Sequence, residues 1–124
     1  MQLEIINTDK APKAIGPYSQ GVKVGDFVYL SGQIGLDAQS MNLVEGIENQ
    51  TTKICHNIEQ LLLAAGTNFS KVVKTTIFLT DLNDFQIVNS IYAQYFVTKP
   101  ARSTVQVSAL PKGASIEIEV IAGL

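Results

Sequence analysis

The chain has no tryptophan, one cysteine, one histidine and one arginine in 124 residues. A lone Cys55 excludes an internal disulfide and fits a reducing compartment. His56 follows Cys55 directly on a helix-patterned stretch, so the two side chains project about 100° apart and cannot share a metal site. No H-E-x-x-H, C-x-x-C or acidic triad is present, and the two residues read as a helix-surface imidazole and a small buried thiol. The absence of G-x-S-x-G, G-x-G-x-x-G and a P-loop leaves nucleophilic-serine and nucleotide chemistry without support. Only 16% of residues are charged and the formal charge is −2, so there is no basic footprint for nucleic acid and no polybasic membrane patch. No run approaches the ~18 apolar residues of a membrane span, and MQLEIINTDKAPKAIG lacks an apolar signal-peptide core. The expectation is a soluble cytoplasmic protein.

What is present is a 46% apolar chain of the size of one domain, spanning residues 1–124. LEIIN (Leu3–Asn7) reads as a first strand, followed by a Pro/Gly-broken loop to Gly21. Gly21–Val24 and Phe27–Ser31 flank Gly25-Asp26 as a hairpin, and Asn42–Glu45 is a candidate short strand. From Ile47 the period becomes helical, with Ile54, Ile58, Leu61, Leu62 and Ala65 on one face and Gly66 at the C-terminal stop. Lys71–Thr80 is a β-branched strand. Asn83 or Asp84 can cap a second helix over Phe85–Val97, which Pro100 ends. STVQVSAL and ASIEIEVIA are further strands around Pro111-Lys112-Gly113. The order β-β-β-α-β-α-β-β predicts an α+β fold: one mixed sheet with both helices on one face. Tyr29, Val105, Val107 and Ile121 occur in both strand parities, so the second sheet face should also be buried, most simply by self-association.

Two features bear on chemistry. In SIEIEVIA the two-residue period sets Glu117 and Glu119 on one face, either as a solvated face or as the wall of a cleft. Arg102 is the only arginine; every other basic residue is lysine. Arginine alone offers a planar fork that grips a carboxylate through two parallel hydrogen bonds. The short Pro-Lys-Gly connection makes the last two strands antiparallel neighbours, which brings Arg102 beside the Glu119–Ala122 end and not the Glu117 end. Its target is then a ligand carboxylate or, as a structural salt bridge, Glu119 itself. Asn89 sits within the apolar stripe of the second helix and needs a partner. Tyr18, in a Gly/Pro-bounded loop, and Ser31, beside Gly32 at a strand end, are suggestive only by position.

Together, GPYSQGVKVGDFVYLSGQIGLD and PARSTVQVSALPKGASIEIEVIA resemble the signature segments of the RidA family, and the layout between them is similar over the whole chain. The resemblance implies a chorismate-mutase-like fold assembled as a homotrimer, with a central β-barrel and ligand clefts between subunits. It implies hydrolysis of 2-iminobutanoate and 2-iminopropanoate, released by pyridoxal-phosphate dehydratases, to 2-oxo acids and ammonia, with no cofactor or metal. It assigns Arg102 to the substrate carboxylate and Glu119 to the attacking water, with Tyr18 in a catalytic role; Ser31, Gly32, Asn89 and Thr104 line the cleft. Thr104 stands where the family often has cysteine; that position is understood to act through its backbone, so no thiol chemistry follows. Family members are also described as translation inhibitors, RNA-cleaving proteins and chaperones. An acidic chain with one arginine supplies no phosphate-binding surface for the RNase role. A non-catalytic trimer that senses 2-oxo acids is the alternative, since it too would use Arg102.

Overall fold

Gly25 takes φ 58° while Asp26 does not enter the left-handed region, the arrangement of a type II′ turn. It joins β2 (Gly21–Val24) to β3 (Phe27–Gln33) in tight register, Val24 opposite Phe27. In the computed structural model, which describes residues 2–124, β1 (Leu3–Ile6) adds antiparallel to β2. α1 (Ile47–Ala64), β4 (Val72–Leu79), α2 (Phe85–Tyr95), β5 (Ala101–Gln106) and β6 (Ile116–Gly123) complete the chain. The sheet runs β1-β2-β3-β6-β4-β5, with β4 and β5 parallel and every other pair antiparallel. The expected α+β architecture is thus present: one six-stranded mixed sheet and two helices on one face.

The core forms between that face and the helices. Ile54, Cys55, Ile58, Leu61 and Leu62 of α1 and Val88, Tyr92 and Phe96 on the α2 side meet Val28, Leu30, Ile77, Ile118 and Val120. Gly66 adopts φ 85° just past α1, so that its N–H reaches Leu63 O and the N–H of Thr67 reaches Leu62 O. This Schellman-type stop supplies donors to two carbonyls of the last turn. Burial pushes the Cys55 thiol up to about 12, as expected for a small apolar-packed side chain.

Some boundaries differ from the sequence reading. Asn42–Glu45 is not a strand; only a single bridge, Leu36 to Leu43, forms there. Asp81 provides the capping carboxylate before α2, accepting from the Asn83 N–H at 2.9 Å at the head of a 3₁₀ turn. Asp84 lies at the N-cap of α2 with no side-chain hydrogen bond.

The larger correction concerns the last two strands, which are not neighbours. β5 ends at Gln106, earlier than the pattern suggested, and the connection carries the chain past β4, so that β6 inserts between β3 and β4. Burial explains the choice. Ile116, Ile118, Val120 and Ala122 are almost wholly inaccessible and take a central place, whereas β5 is mostly exposed and takes the edge.

The opposite sheet face remains open in one chain. Leu3, Ile5, Phe27, Tyr29 and Val105 each expose 41 to 58% of their surface.

Candidate functional site

Arg102 opens β5 with Thr75 of β4 beside it, and its side chain rises on the helix face of the sheet. There its Nη1 donates to Asn89 Oδ1 at 2.8 Å. The guanidinium carbon stands 5.4 Å from the centroid of Phe85 and 5.1 Å from that of Tyr92. Both rings offer electron-rich faces to a cation. Tyr92 is itself fixed: its hydroxyl shares a 2.7 Å hydrogen bond with Thr75 Oγ1, and its ring stacks on Phe96 at 4.2 Å. Burial, first of all, raises the Tyr92 phenol, which therefore stays neutral. Among the described residues Arg102 has no carboxylate partner; the one ion pair found joins Lys23 and Glu4. The structural salt bridge to Glu119 does not form. Asn89, Tyr92, Ala93, Val97, Pro100 and Arg102 border an open cleft of about 520 Å³.

Tyr18, Gly32 and Glu117 meet elsewhere, around a cavity of about 300 Å³. Three devices build it. Gln20 pins the preceding loop, accepting from the Thr8 N–H at 2.8 Å and donating to Pro12 O at 2.9 Å. The Ser31 hydroxyl donates to Ser19 O at 2.5 Å, tying the loop to β3. A β-bulge then sets Ser31 and Gly32 together against Glu119, because Leu30 pairs with Val120 and Gln33 with Ile118. Bulges re-aim side chains in this way, and the missing Cβ of Gly32 leaves space that the Glu117 carboxylate occupies.

The two glutamates share a face, as the alternation requires, but their surroundings differ. Glu117 is half-buried and Glu119 is exposed. Burial and, second, the nearby Glu119 charge raise the Glu117 carboxyl above its ordinary value. Sequence reasoning set Glu119 above Glu117 on the assumed β5–β6 pairing and on the family resemblance, which was matched to Glu119. The signal available was the Glu-x-Glu period, which names both residues and does not choose between them.

The placement of Arg102 beside Glu119 is therefore corrected. β4 separates β5 from β6, with Ser103, Thr76 and Glu119 in one row. Arg102 points to the helix face and the glutamates to the open face. Arg102 and Glu117 are two strands apart and three residues out of step, about 14 Å between Cα atoms. Asn89 joins Arg102, whereas Tyr18, Ser31 and Gly32 join the glutamates. Thr104 lies half-buried on β5, with its hydroxyl oxygen enclosed and unpartnered. No group of three or more His, Cys, Asp or Glu among the described residues converges as a metal site would require. Among the described residues, no helix is long and apolar enough to cross a membrane.

An arginine stacked on two rings at one sheet edge and a half-buried carboxylate at a bulge are the two polar features that this α+β sheet presents. The family model described as Endoribonuclease L-PSP matches residues 8–124. Human 2-iminobutanoate/2-iminopropanoate deaminase is 52% identical over 120 residues, covering 95% of this chain and 88% of its own length. Reactive Intermediate Deaminase A, chloroplastic, of Arabidopsis thaliana is 52% identical over 98% of this chain, which spans 66% of that protein. The crystal structure of RidA from an Antarctic Psychrobacter superposes with a TM-score of 0.95 at 47% identity, covering 98% of this chain and 99% of that one. Escherichia coli TdcF with bound serine superposes at 0.94 with 42% identity, covering 98% of both chains. The chain belongs to the RidA family.

Proposed function

We propose that this protein hydrolyses small 2-imino acids, such as 2-iminobutanoate and 2-iminopropanoate, to 2-oxo acids and ammonia. The observation that carries the reading is Arg102: a sole arginine, oriented by Asn89, stacked on two rings and lacking a protein carboxylate. Its remaining donors suit a ligand carboxylate in bidentate contact. Relatives named as imine deaminases, and a relative that holds serine, support a ligand of that kind.

A protonated imine is electrophilic at C2, so the protein has to hold the carboxylate and deliver one water. Of the two glutamates, Glu117 is the better placed general base. It lies in the cavity with Tyr18 and Gly32, and its raised pKa brings its basicity nearer to neutrality. As the water oxygen bonds to C2, Glu117 takes its proton and the C=N π electrons move to nitrogen. The proton then passes to the carbinolamine nitrogen; the hydroxyl returns its own proton to Glu117 as its oxygen forms the C=O bond and the C–N bond breaks, and ammonia leaves a 2-oxo acid. Glu119, exposed beside it, serves to raise the basicity of Glu117.

Arg102 and Glu117 lie on opposite faces of one chain, so one substrate engages both only across a subunit boundary. A homotrimer whose sheets close into a barrel would cover the apolar open face and set the Arg102 edge of one subunit against the Glu117 cavity of the next. The substrates fit the imines released by pyridoxal-phosphate dehydratases acting on threonine and serine.

A coupled assay tests the reading. Threonine dehydratase generates the imine, semicarbazide competes for it, and catalytic amounts of the protein should suppress semicarbazone formation. No suppression even at stoichiometric protein would favour the second reading, a non-catalytic trimer that binds 2-oxo acids through Arg102. The half-buried Glu117 speaks against sensing alone, since a second negative charge near the ligand weakens carboxylate binding.

A further inference from the structure

Two residues that are not glycine adopt left-handed backbone beside the Glu117 cavity: Met41 at φ 61° and Lys112 at φ 58°. Side-chain-bearing residues seldom occupy that region, and neither Met nor Lys is among the types that tolerate it best. They come from turns 71 residues apart in sequence, and the Lys112 ammonium bridges them by donating to Met41 O at 3.1 Å.

The turn holding Met41 is fixed independently. Asp37 Oδ1 accepts from the N–H groups of Gln39 at 3.0 Å and Ser40 at 2.9 Å, the Met41 N–H donates to Asp37 O at 2.9 Å, and Asn57 Nδ2 donates to Leu36 O at 2.9 Å. Such a turn would accommodate glycine at position 41 with less strain. A methionine there gives the cavity a flexible apolar lining residue, alongside Ile15, Ile34, Leu36 and Glu117.

We propose that Met41, held in place by Lys112, is the specificity-determining wall of the cavity and sets the length of the apolar substrate side chain admitted next to Glu117. This rests on the deaminase reading above. The cavity's ~300 Å³ equals about ten times a water molecule's share of liquid, so its lining, Met41 included, and not its total volume would set how far a branched aliphatic side chain reaches. A pocket wall of this kind discriminates by methylene groups, with about 10–200-fold for each.

The experiment compares kcat/KM for the imines of leucine and alanine, generated by an amino-acid oxidase and followed by semicarbazide competition. Met41→Gly should raise the leucine-to-alanine ratio at least fivefold, while its melting temperature holds or rises because the strained backbone is relieved. Lys112→Met, which keeps an unbranched side chain one atom shorter but cannot donate to Met41 O, should shift the ratio in the same direction by at least twofold. Ratios within twofold of wild type in both variants, with wild-type turnover intact, would overturn the proposal and leave the deaminase reading standing. If the wild type turns over neither imine, the deaminase reading fails instead. Calorimetric affinities for 4-methyl-2-oxopentanoate and pyruvate then test the wall, and an unchanged affinity ratio in Met41→Gly overturns it.

Discussion

Arg102 Nη1 donates to Asn89 Oδ1 at 2.8 Å, and the same guanidinium lies against the rings of Phe85 and Tyr92. One amide and two aromatic faces hold the fork without neutralising it. Among the described residues, four of its five N–H donors make no hydrogen bond to a side chain, and on this exposed side chain they stay open to solvent or a ligand. Replacing Arg102 by Ala or Lys should each lower kcat/KM by about 10–150-fold, the worth of ~1.5–3 kcal/mol for a hydrogen bond to a charged group. Lysine restores charge but neither fork nor stacking. Steady-state kinetics checks this, and full activity in Arg102→Lys would end the bidentate-anchor reading.

Glu117 and Glu119 should separate by their pH behaviour. Glu117→Gln should cost about 10²–10⁴ in turnover, as loss of a general base does. Glu119→Gln should keep substantial activity but move the acidic limb of the rate profile to lower pH, because a like charge that raises Glu117 is gone. A stability consequence follows from the same shift. The folded state binds the Glu117 proton more tightly than the unfolded state, so stability falls as pH rises from the ordinary glutamate range through the raised value. Glu117→Gln should therefore melt higher than wild type at neutral pH, and the gap should narrow in acid. Melting curves across pH give the sign directly.

Gly32 and Gly35 differ in what an added methyl group meets. At Gly35 a Cβ would stand 2.8 Å from Gln50 Cα and 3.1 Å from Gln50 O, on the rigid backbone of α1. Gly35→Ala should destabilise by ~1–3 kcal/mol, the usual cost of overpacking. At Gly32 the obstacle is the end of the Glu117 side chain, which can swing aside. Gly32→Ala should fold nearly normally yet lose activity, and denaturant melts set beside kinetics would show the contrast.

The open sheet face predicts assembly. A mass near three times 13.4 kDa is expected by light scattering on a sizing column. Tyr29→Asp, placed among Val22, Phe27 and Ile121, should lower that mass and abolish activity together, because the proposed cleft needs two subunits. A fully active monomer would rule out the intersubunit cleft.

Cys55 should be inert to thiol reagents in the native protein at pH 8. Its side chain is fully buried, and its pKa is pushed up to about 12, so access and thiolate are both lacking. Stoichiometric labelling should appear only on denaturation.

Periodicity located the elements well, and for a physical reason. β-branched alternation in SIEIEVIA and the helical spacing of Ile54, Ile58, Leu61 and Leu62 are local records of which side each residue buries. The Gly66 stop and the Gly25 turn were legible for the same reason, since a left-handed backbone needs glycine locally. Pairing was not legible. The Pro111-Lys112-Gly113 turn looked like a hairpin because nothing near it records that β6 pairs with β3 and β4. Arg102 could be singled out as the sole arginine, and Asn89 as a polar intruder in an apolar stripe. That the two bond to each other was not written in either segment.

The sequence by itself determined the strand and helix order, the two-faced alternation of β6, and that Arg102 is the one residue able to offer a guanidinium fork. Composition and local spacing carry those properties. Only the tertiary structure decided that β6 takes the centre and β5 the edge, because that choice depends on summed burial across distant segments. It also decided that Arg102 and the glutamates stand on opposite faces, and that Glu117 enters the cavity beside Gly32. A two-residue period places Glu117 and Glu119 alike. The bulge in β3 and the loop pinned by Gln20 enclose one carboxylate and leave its neighbour in water.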